Sequence, residues 1–337
     1  MSSIIKPTRR SFVKTSAAAS AATVLGAPLI AKAGAKHTIK MASLAPNGST
    51  WHKAFQRTAR LLKEKTDGEI DIKLYVGGVM GDEPAMVRKM RTGQLDGAAC
   101  TSVGLGEINK QVLMLQLPLL FRNEKELDKV RNAMSKRFKQ LLLDGGFVLS
   151  GWGDVGPVFL MSNSPIKVPS DTAATKMWVW SADDISAEVM KVAKVNAIPL
   201  EVPDVLPSLQ TGVIDAFGAA PYAAIALQWY SKAAYVTNLK LSMGIGGAVM
   251  SAKAYEKLSD YHDVMQEVSE DTYTKLLKRI RKDNKKAMKT LVDKGIRVVE
   301  PEDMGEWLNL SVKVRENLTG KLFKEELVNE MIDHLNA

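Results

Sequence analysis

Val205-Leu206-Pro207-Ser208-Leu209-Gln210-Thr211-Gly212-Val213-Ile214-Asp215-Ala216-Phe217 is the stretch that decides the fold. Residues 205–211 read as a helix, and Gly212 stands where a left-handed helix stop belongs. Residues 213–217 then read as a strand. A helix feeding a strand through one glycine is a unit of an α/β fold. The same alternation extends upstream. Residues 184–194 read as a helix, residues 177–180 and 158–162 as strands, and a second α/β unit begins after Phe147-Val148-Leu149.

The N-terminal half repeats the pattern. Residues 38–44 read as a strand. Ser49 can cap a helix that places Trp51, Ala54, Phe55, Thr58 and Leu62 on one face. Gly68 ends that helix. Ile70, Ile72, Leu74 and Val76 alternate as in a half-buried strand, which Gly77-Gly78 breaks. A helix over 83–92, stopped by Gly93, leads to a strand over 95–102. This β-α-β-α-β start predicts an α/β fold with a mostly parallel sheet. Residues 239–250 read as extended, loosened by Gly244, Gly246 and Gly247. One long helix is expected over 254–293, shared by two lobes, and residues 302–335 read as helical again.

The first segment is expected to serve export. Thr8-Arg9-Arg10-Ser11-Phe12 is followed by an apolar run over 15–30 and by Ala31-Lys32-Ala33. A paired-arginine start, an apolar middle and a small-residue cleavage site point to the twin-arginine route into the periplasm. Its five basic residues, Lys6, Arg9, Arg10, Lys14 and Lys32, inflate the whole-chain charge of +9. Without them 41 basic residues face 37 acids, a net of +4. That is an ordinary surface, so no nucleic-acid partner is expected. The basic run at Lys278-Arg279-Ile280-Arg281-Lys282 reads as a solvated helix face. The remaining chain of roughly 300 residues suggests two domains.

Motifs of catalysis are missing from the sequence. His37, His52, His262 and His334 are scattered, without zinc-ligand spacing. No phosphate-binding loop and no Gly-x-Ser-x-Gly elbow occur. Cys100, the single cysteine, sits in an apolar strand and reads as a buried, inert thiol. A binding protein without metal, cofactor or catalytic residues is therefore expected.

The order of segments resembles the extracytoplasmic solute-binding proteins of TRAP transporters, the DctP family. The matching stretches are Thr66-Asp67-Gly68-Glu69-Ile70, Met90-Arg91-Thr92-Gly93-Gln94-Leu95-Asp96, Leu117-Pro118-Leu119-Leu120-Phe121, Ser164-Pro165-Ile166 and Pro207-Ser208-Leu209-Gln210-Thr211-Gly212-Val213-Ile214-Asp215. The resemblance implies a two-lobed periplasmic-binding-protein-like fold with crossing strands and a long hinge-spanning helix. It implies lobe 1 over 34–154 plus about 244–283, and lobe 2 over 155–243 plus about 284–337. It implies a small organic ligand held between the lobes by a monomer and delivered to the membrane subunits of a transporter. A lipid or hydrophobic-compound carrier serving a non-TRAP transporter is the alternative.

Three stretches depart from the family's acid-binding pattern. In Lys176-Met177-Trp178-Val179-Trp180, Trp178 stands where the family has an arginine. The strand Val158-Phe159-Leu160-Met161 carries no charge. Ala216-Phe217-Gly218-Ala219-Ala220-Pro221 replaces a Gly-x-Glu-Asn stretch. A carboxylate entering this cleft would lose its hydration without gaining a cation, so an apolar or amphipathic ligand is expected. Trp178 and Trp180, two apart on a strand, project from one face. Trp51 follows the first strand-to-helix loop, a usual ligand position. Phe159, Phe217 and Tyr222 are further candidate contacts. Trp152 and Asp154 lie near the first lobe crossing, and Asp154 is placed to accept a hydroxyl or amine.

Overall fold

The computed structural model describes residues 34–337, so the export segment over 1–33 lies outside the described residues. Lobe 1 opens with β1 (His37–Ser43) and α1 (Thr50–Lys65). Ser49 caps α1 as the sequence implies, its hydroxyl accepting the His52 N–H at 3.2 Å. Trp51, Phe55, Thr58 and Leu62 form the buried face of α1. β2 (Ile70–Tyr75), α2 (Glu83–Arg91) and β3 (Gly97–Thr101) follow. Three helices come next that the sequence reading does not separate: α3 (Ser102–Ile108), α4 (Glu124–Ala133) and α5 (Ser135–Asp144). Leu127 and Val130 of α4 and Phe138 and Leu142 of α5 are buried in the lobe's core. β4 (Phe147–Trp152) ends the first pass through this lobe.

The chain crosses through Gly153-Asp154-Val155 into β5 (Gly156–Ser162) of lobe 2. There follow β6 (Trp178–Trp180), α6 (Asp184–Val192), β7 (Ile198–Leu200), α7 (Val202–Thr211), β8 (Ala216–Ala219), α8 (Pro221–Ala226), β9 (Tyr235–Thr237) and β10 (Ser242–Gly244). α7 stops at Gly212, whose φ of +74° is the left-handed conformation a side chain disfavours. The strand starts at Ala216 rather than Val213. The amides of Val213 and Ile214 both return to the Ser208 carbonyl, which keeps them in the turn.

The chain recrosses at Ile245 into β11 (Gly246–Ser251), then forms α9 (Ala252–Glu256) and α10 (His262–Asp293). The expected helix over 254–293 is therefore broken: a 3-10 turn over Ser259–Tyr261 separates its first turn from the 32-residue α10. β12 (Arg297–Val299), α11 (Met304–Leu318) and α12 (Glu325–Asn336) complete the chain. Gly320, at φ +77°, lies between the last two helices.

Lobe 1 holds one five-stranded sheet, ordered β2-β1-β3-β11-β4. In lobe 2, β5 is flanked by β8 and by β10 and β9, and β12 extends the edge beyond β9. A parallel bridge between Met177 and Ala216 attaches the β6-β7 pair to β8. The sheets are mixed, which corrects the mostly parallel expectation. β11 runs antiparallel to both β3 and β4, and β5 runs antiparallel to β8, β9 and β10. The antiparallel neighbours arise where the chain returns between lobes, a long-range pairing that local periodicity does not encode. One lobe boundary also changes. α11 packs on α6 in lobe 2, but α12 returns to pack on α4 in lobe 1, so 325–336 leave the lobe 2 assignment.

α10 lies across the crossing strands and touches α1 and β4 on one side, α8 and β5 on the other. Glycine makes that approach possible. A Cβ on Gly151 would stand 2.3 Å from the Tyr273 ring, and one on Gly156 2.3 Å from the Asn284 amide.

Candidate ligand cavity between the lobes

A cavity of about 290 Å3 lies between the lobes. Lobe 1 supplies the loop after β1, with Leu44 to Pro46, and the β3–α3 junction, Thr101 to Val103. Lobe 2 supplies β5, β6 and α6, with Trp307 and Leu310 of α11. The crossing strands contribute Gly153, Val155, Gly247 and Ala248, and α10 contributes Tyr273 and Leu276.

Strand parity decides which side chains reach it. On β5, Val158 and Leu160 line the cavity, while Phe159 and Met161 do not. Leu160 pairs with Gly218, which also lines it; Met161 pairs with Phe217, and both are fully buried in the core. Phe159 and Phe217 are thus core residues, one position out of phase with the cleft.

Trp51, Trp178 and Trp180 do line the cavity. The rings of Trp178 and Trp180 stack, with centroids 6.2 Å apart and an interplanar angle of 29°, as the two-residue spacing implies. The Trp178 indole also packs edge-on against Trp229 at 5.1 Å and donates to the Leu200 carbonyl at 3.2 Å. Trp51 donates to the Asp154 carbonyl at 3.1 Å. Trp180 Nε1 donates across the cleft to Asp82 Oδ2 at 2.7 Å, joining lobe 2 to the start of α2 in lobe 1.

The other candidates are engaged elsewhere. The Asp154 side chain forms a buried ion pair with Arg131 at 2.5 Å and stands 3.5 Å from Arg281, so it is not placed to receive a ligand hydroxyl or amine. Trp152 packs edge-on against Phe138, with the Arg131 guanidinium 5.3 Å from its ring centre. The Tyr222 hydroxyl accepts the Thr50 N–H at 2.8 Å, and its ring lies 5.0 Å from that of Trp51. None of these three lines the cavity.

No arginine, lysine or histidine is among the lining residues. The charged side chains that line it are Glu83 and Asp183. Glu83 accepts hydrogen bonds from Thr101 N, Thr101 Oγ1 and Gly104 N at 2.8, 2.9 and 2.7 Å. Burial nevertheless pushes its carboxyl up to about 7. Asp183 caps α6, accepting from the amides of Ile185 and Ser186 and from the Ser186 hydroxyl. Burial raises its carboxyl too. Gln116 adds a carboxamide whose Oε1 accepts the Ile245 N–H at 3.1 Å. Sequence reasoning missed the acids Asp82 and Glu83. The signal was their place at the start of a helix after a strand of the parallel pair, where α/β folds put ligand groups. Among the described residues no cluster of potential metal ligands occurs, and no helix is long and apolar enough to cross a membrane.

Residues 41–319 match the family model of bacterial extracellular solute-binding proteins, family 7, DctP. Residues 6–26 match the signal sequence of the twin-arginine translocation pathway. The chain belongs to the DctP family: it is a periplasmic transport protein exported by the twin-arginine route, not an enzyme. It is 27% identical over 264 residues to a solute-binding protein of Chromohalobacter salexigens, covering 77% of this chain and 76% of the relative. It is 22% identical over 281 residues to the sialic acid-binding periplasmic protein of Vibrio cholerae, covering 81% and 85%. The fold matches a sugar acid binding protein of Advenella mimigardefordensis in complex with galactonate, with a TM-score of 0.84 at 20% identity, covering 90% of this chain and 99% of that one. It also matches a TRAP periplasmic solute-binding protein of Citrobacter koseri with bound D-glucuronate, with a TM-score of 0.80 at 24% identity, covering 88% and 99%.

Proposed function

We propose that this protein is the receptor of a TRAP-type system. It encloses a small apolar or amphipathic organic ligand between its lobes and delivers it to a membrane permease. One observation carries the choice of ligand: the cavity is walled by Trp51, Trp178 and Trp180 and has no arginine, lysine or histidine among its lining residues. A carboxylate is held well by the two parallel charge-assisted hydrogen bonds of a guanidinium. Without one, an anion would lose its hydration and meet the carboxyls of Glu83 and Asp183.

Thermal unfolding in the presence of candidate ligands tests this. A ligand at 100 times its dissociation constant adds about 2.7 kcal/mol to stability. D-Glucuronate and D-galacturonate at millimolar concentration are expected to leave the midpoint unchanged. Solvent extraction of the purified protein, followed by mass spectrometry, is expected to release an apolar or amphipathic compound. A clear upward shift with either uronate, and none with apolar compounds, refutes the proposal.

A further inference from the structure

We propose that the cavity takes an uncharged amphipathic molecule, with its apolar body against the tryptophans and carbonyl or hydroxyl oxygens at the hydroxyls of Tyr273 and Ser102. This rests on the reading of an apolar or amphipathic ligand and names its polar end.

Most polar groups around the cavity are spent within the protein. Trp51, Trp178 and Trp180 donate their indole N–H groups to Asp154, Leu200 and Asp82. Thr101 Oγ1 donates to Glu83, and Ser186 Oγ to Asp183. Glu83 and Asp183 are each turned to protein donors, accepting three hydrogen bonds apiece. Burial raises both carboxyls, which weakens them as counter-ions for a cation. With no arginine, lysine or histidine among the lining residues, an anion finds no partner either.

Two neutral hydroxyls are left over. Tyr273 and Ser102 line the cavity and are 5% and 3% exposed. Among the described residues neither side-chain oxygen makes a hydrogen bond, and neither is sealed off: each keeps accessible surface. Burial, with no hydrogen bond to offset it, raises the Tyr273 phenol above its ordinary range, so it stands as a neutral donor. A buried hydroxyl without a partner is costly, and the large majority find one. Both residues are held firmly at the hinge side of the cavity. The Tyr273 ring lies against Gly151, where a Cβ would come within 2.3 Å of it. The Ser102 N–H is bonded at 3.0 Å to the carbonyl of Ile245, where the chain recrosses. An uncharged ligand oxygen supplies what these hydroxyls lack: a carbonyl accepts from them, and a hydroxyl both accepts and donates.

A role in binding is separable from a role in the fold. The double variant Tyr273→Phe with Ser102→Ala removes two oxygens and takes no hydrogen bond from the protein. Its thermal midpoint without ligand is therefore expected to equal that of the parent or to exceed it. A clear fall in that midpoint would show that the hydroxyls serve the fold, and overturns the proposal.

The binding test uses four probes on one skeleton: butyrophenone, butylbenzene, 1-phenylbutylamine and 2-phenylpentanoate, measured by equilibrium dialysis against the full mature protein. In a cavity without free donors, replacing a methylene by a carbonyl weakens binding about thirtyfold or more. Here the ketone is expected to bind at least as tightly as the hydrocarbon, and more tightly than the amine or the acid. The double variant, checked for folding by circular dichroism, is expected to lower the ketone-to-hydrocarbon affinity ratio about fivefold or more, the scale of one hydrogen bond, and to keep hydrocarbon binding. A ratio unchanged in the double variant, a ketone that is weaker than the hydrocarbon or does not bind, or a tighter amine overturns the uncharged polar end. If the hydrocarbon still binds, the apolar reading survives that failure. Preferential binding of the acid overturns both.

Discussion

Arg131→Met is expected to destabilise the protein by about 3–5 kcal/mol, the usual loss when one partner of a buried ion pair is removed. Arg131 is 2% exposed and Asp154 4%. Their ion pair joins α4 to the strand crossing between the lobes. Without the guanidinium, Asp154 retains only Arg281 at 3.5 Å, and Arg281 is already held in two bonds by Asp128. The carboxylate would remain buried and poorly compensated. Chemical denaturation followed by circular dichroism reads the effect as a lower midpoint. The double variant Arg131→Met with Asp154→Leu is expected to recover part of the loss, because it removes the stranded charge as well. A single variant as stable as the parent would show that the pair contributes nothing to the hinge.

Phe217→Ala is expected to cost a similar amount, about 3–5 kcal/mol. The ring is fully buried and lies edge-on to Trp229 at 5.6 Å. Met161 opposite it on β5 is equally inaccessible and anchored in the sheet, so little can move in to fill the space. The lost burial and the residual cavity therefore add. Phe217→Leu should lose distinctly less, since it keeps most of the volume. Equal losses for the two substitutions would argue that the site relaxes freely.

Much of the architecture was legible in the chain because its signals are local. Ser49 at the head of α1, Gly93 and Gly212 at helix ends, and alternation in β2 each act within a few residues. The sheet directions were not legible. β11 pairs with β3 and β4, about 100 and more residues earlier, and nothing within 246–251 names those partners. The break before α10 was hidden for a related reason: 254–293 is compatible with helix throughout, and nothing local marks the 3-10 turn over Ser259–Tyr261. For the site, parity placed Trp178 and Trp180 on one face. Parity without a reference could not say which face of β5 or β8 meets the cleft, so Phe159 and Phe217 were drawn in. Asp154 failed differently. Its partner, Arg131, is 23 residues away on a helix that the periodicity did not resolve.

The place of β11 and α12 bears on when this protein can fold. In lobe 1, β3 and β4 do not touch each other; β11 lies between them and pairs with both. α12, the last helix, covers α4 of the same lobe. A growing chain that has left the ribosome as far as residue 244 therefore carries two strands with open edges and a helix with an uncovered apolar face. By this order lobe 2 has all its elements at the end of α11, at Leu318, whereas lobe 1 still waits for α12. Closure of lobe 1 thus depends on contacts distant in sequence, the kind that slows folding. Until then its unpaired edges are the segments most open to aggregation or to a chaperone.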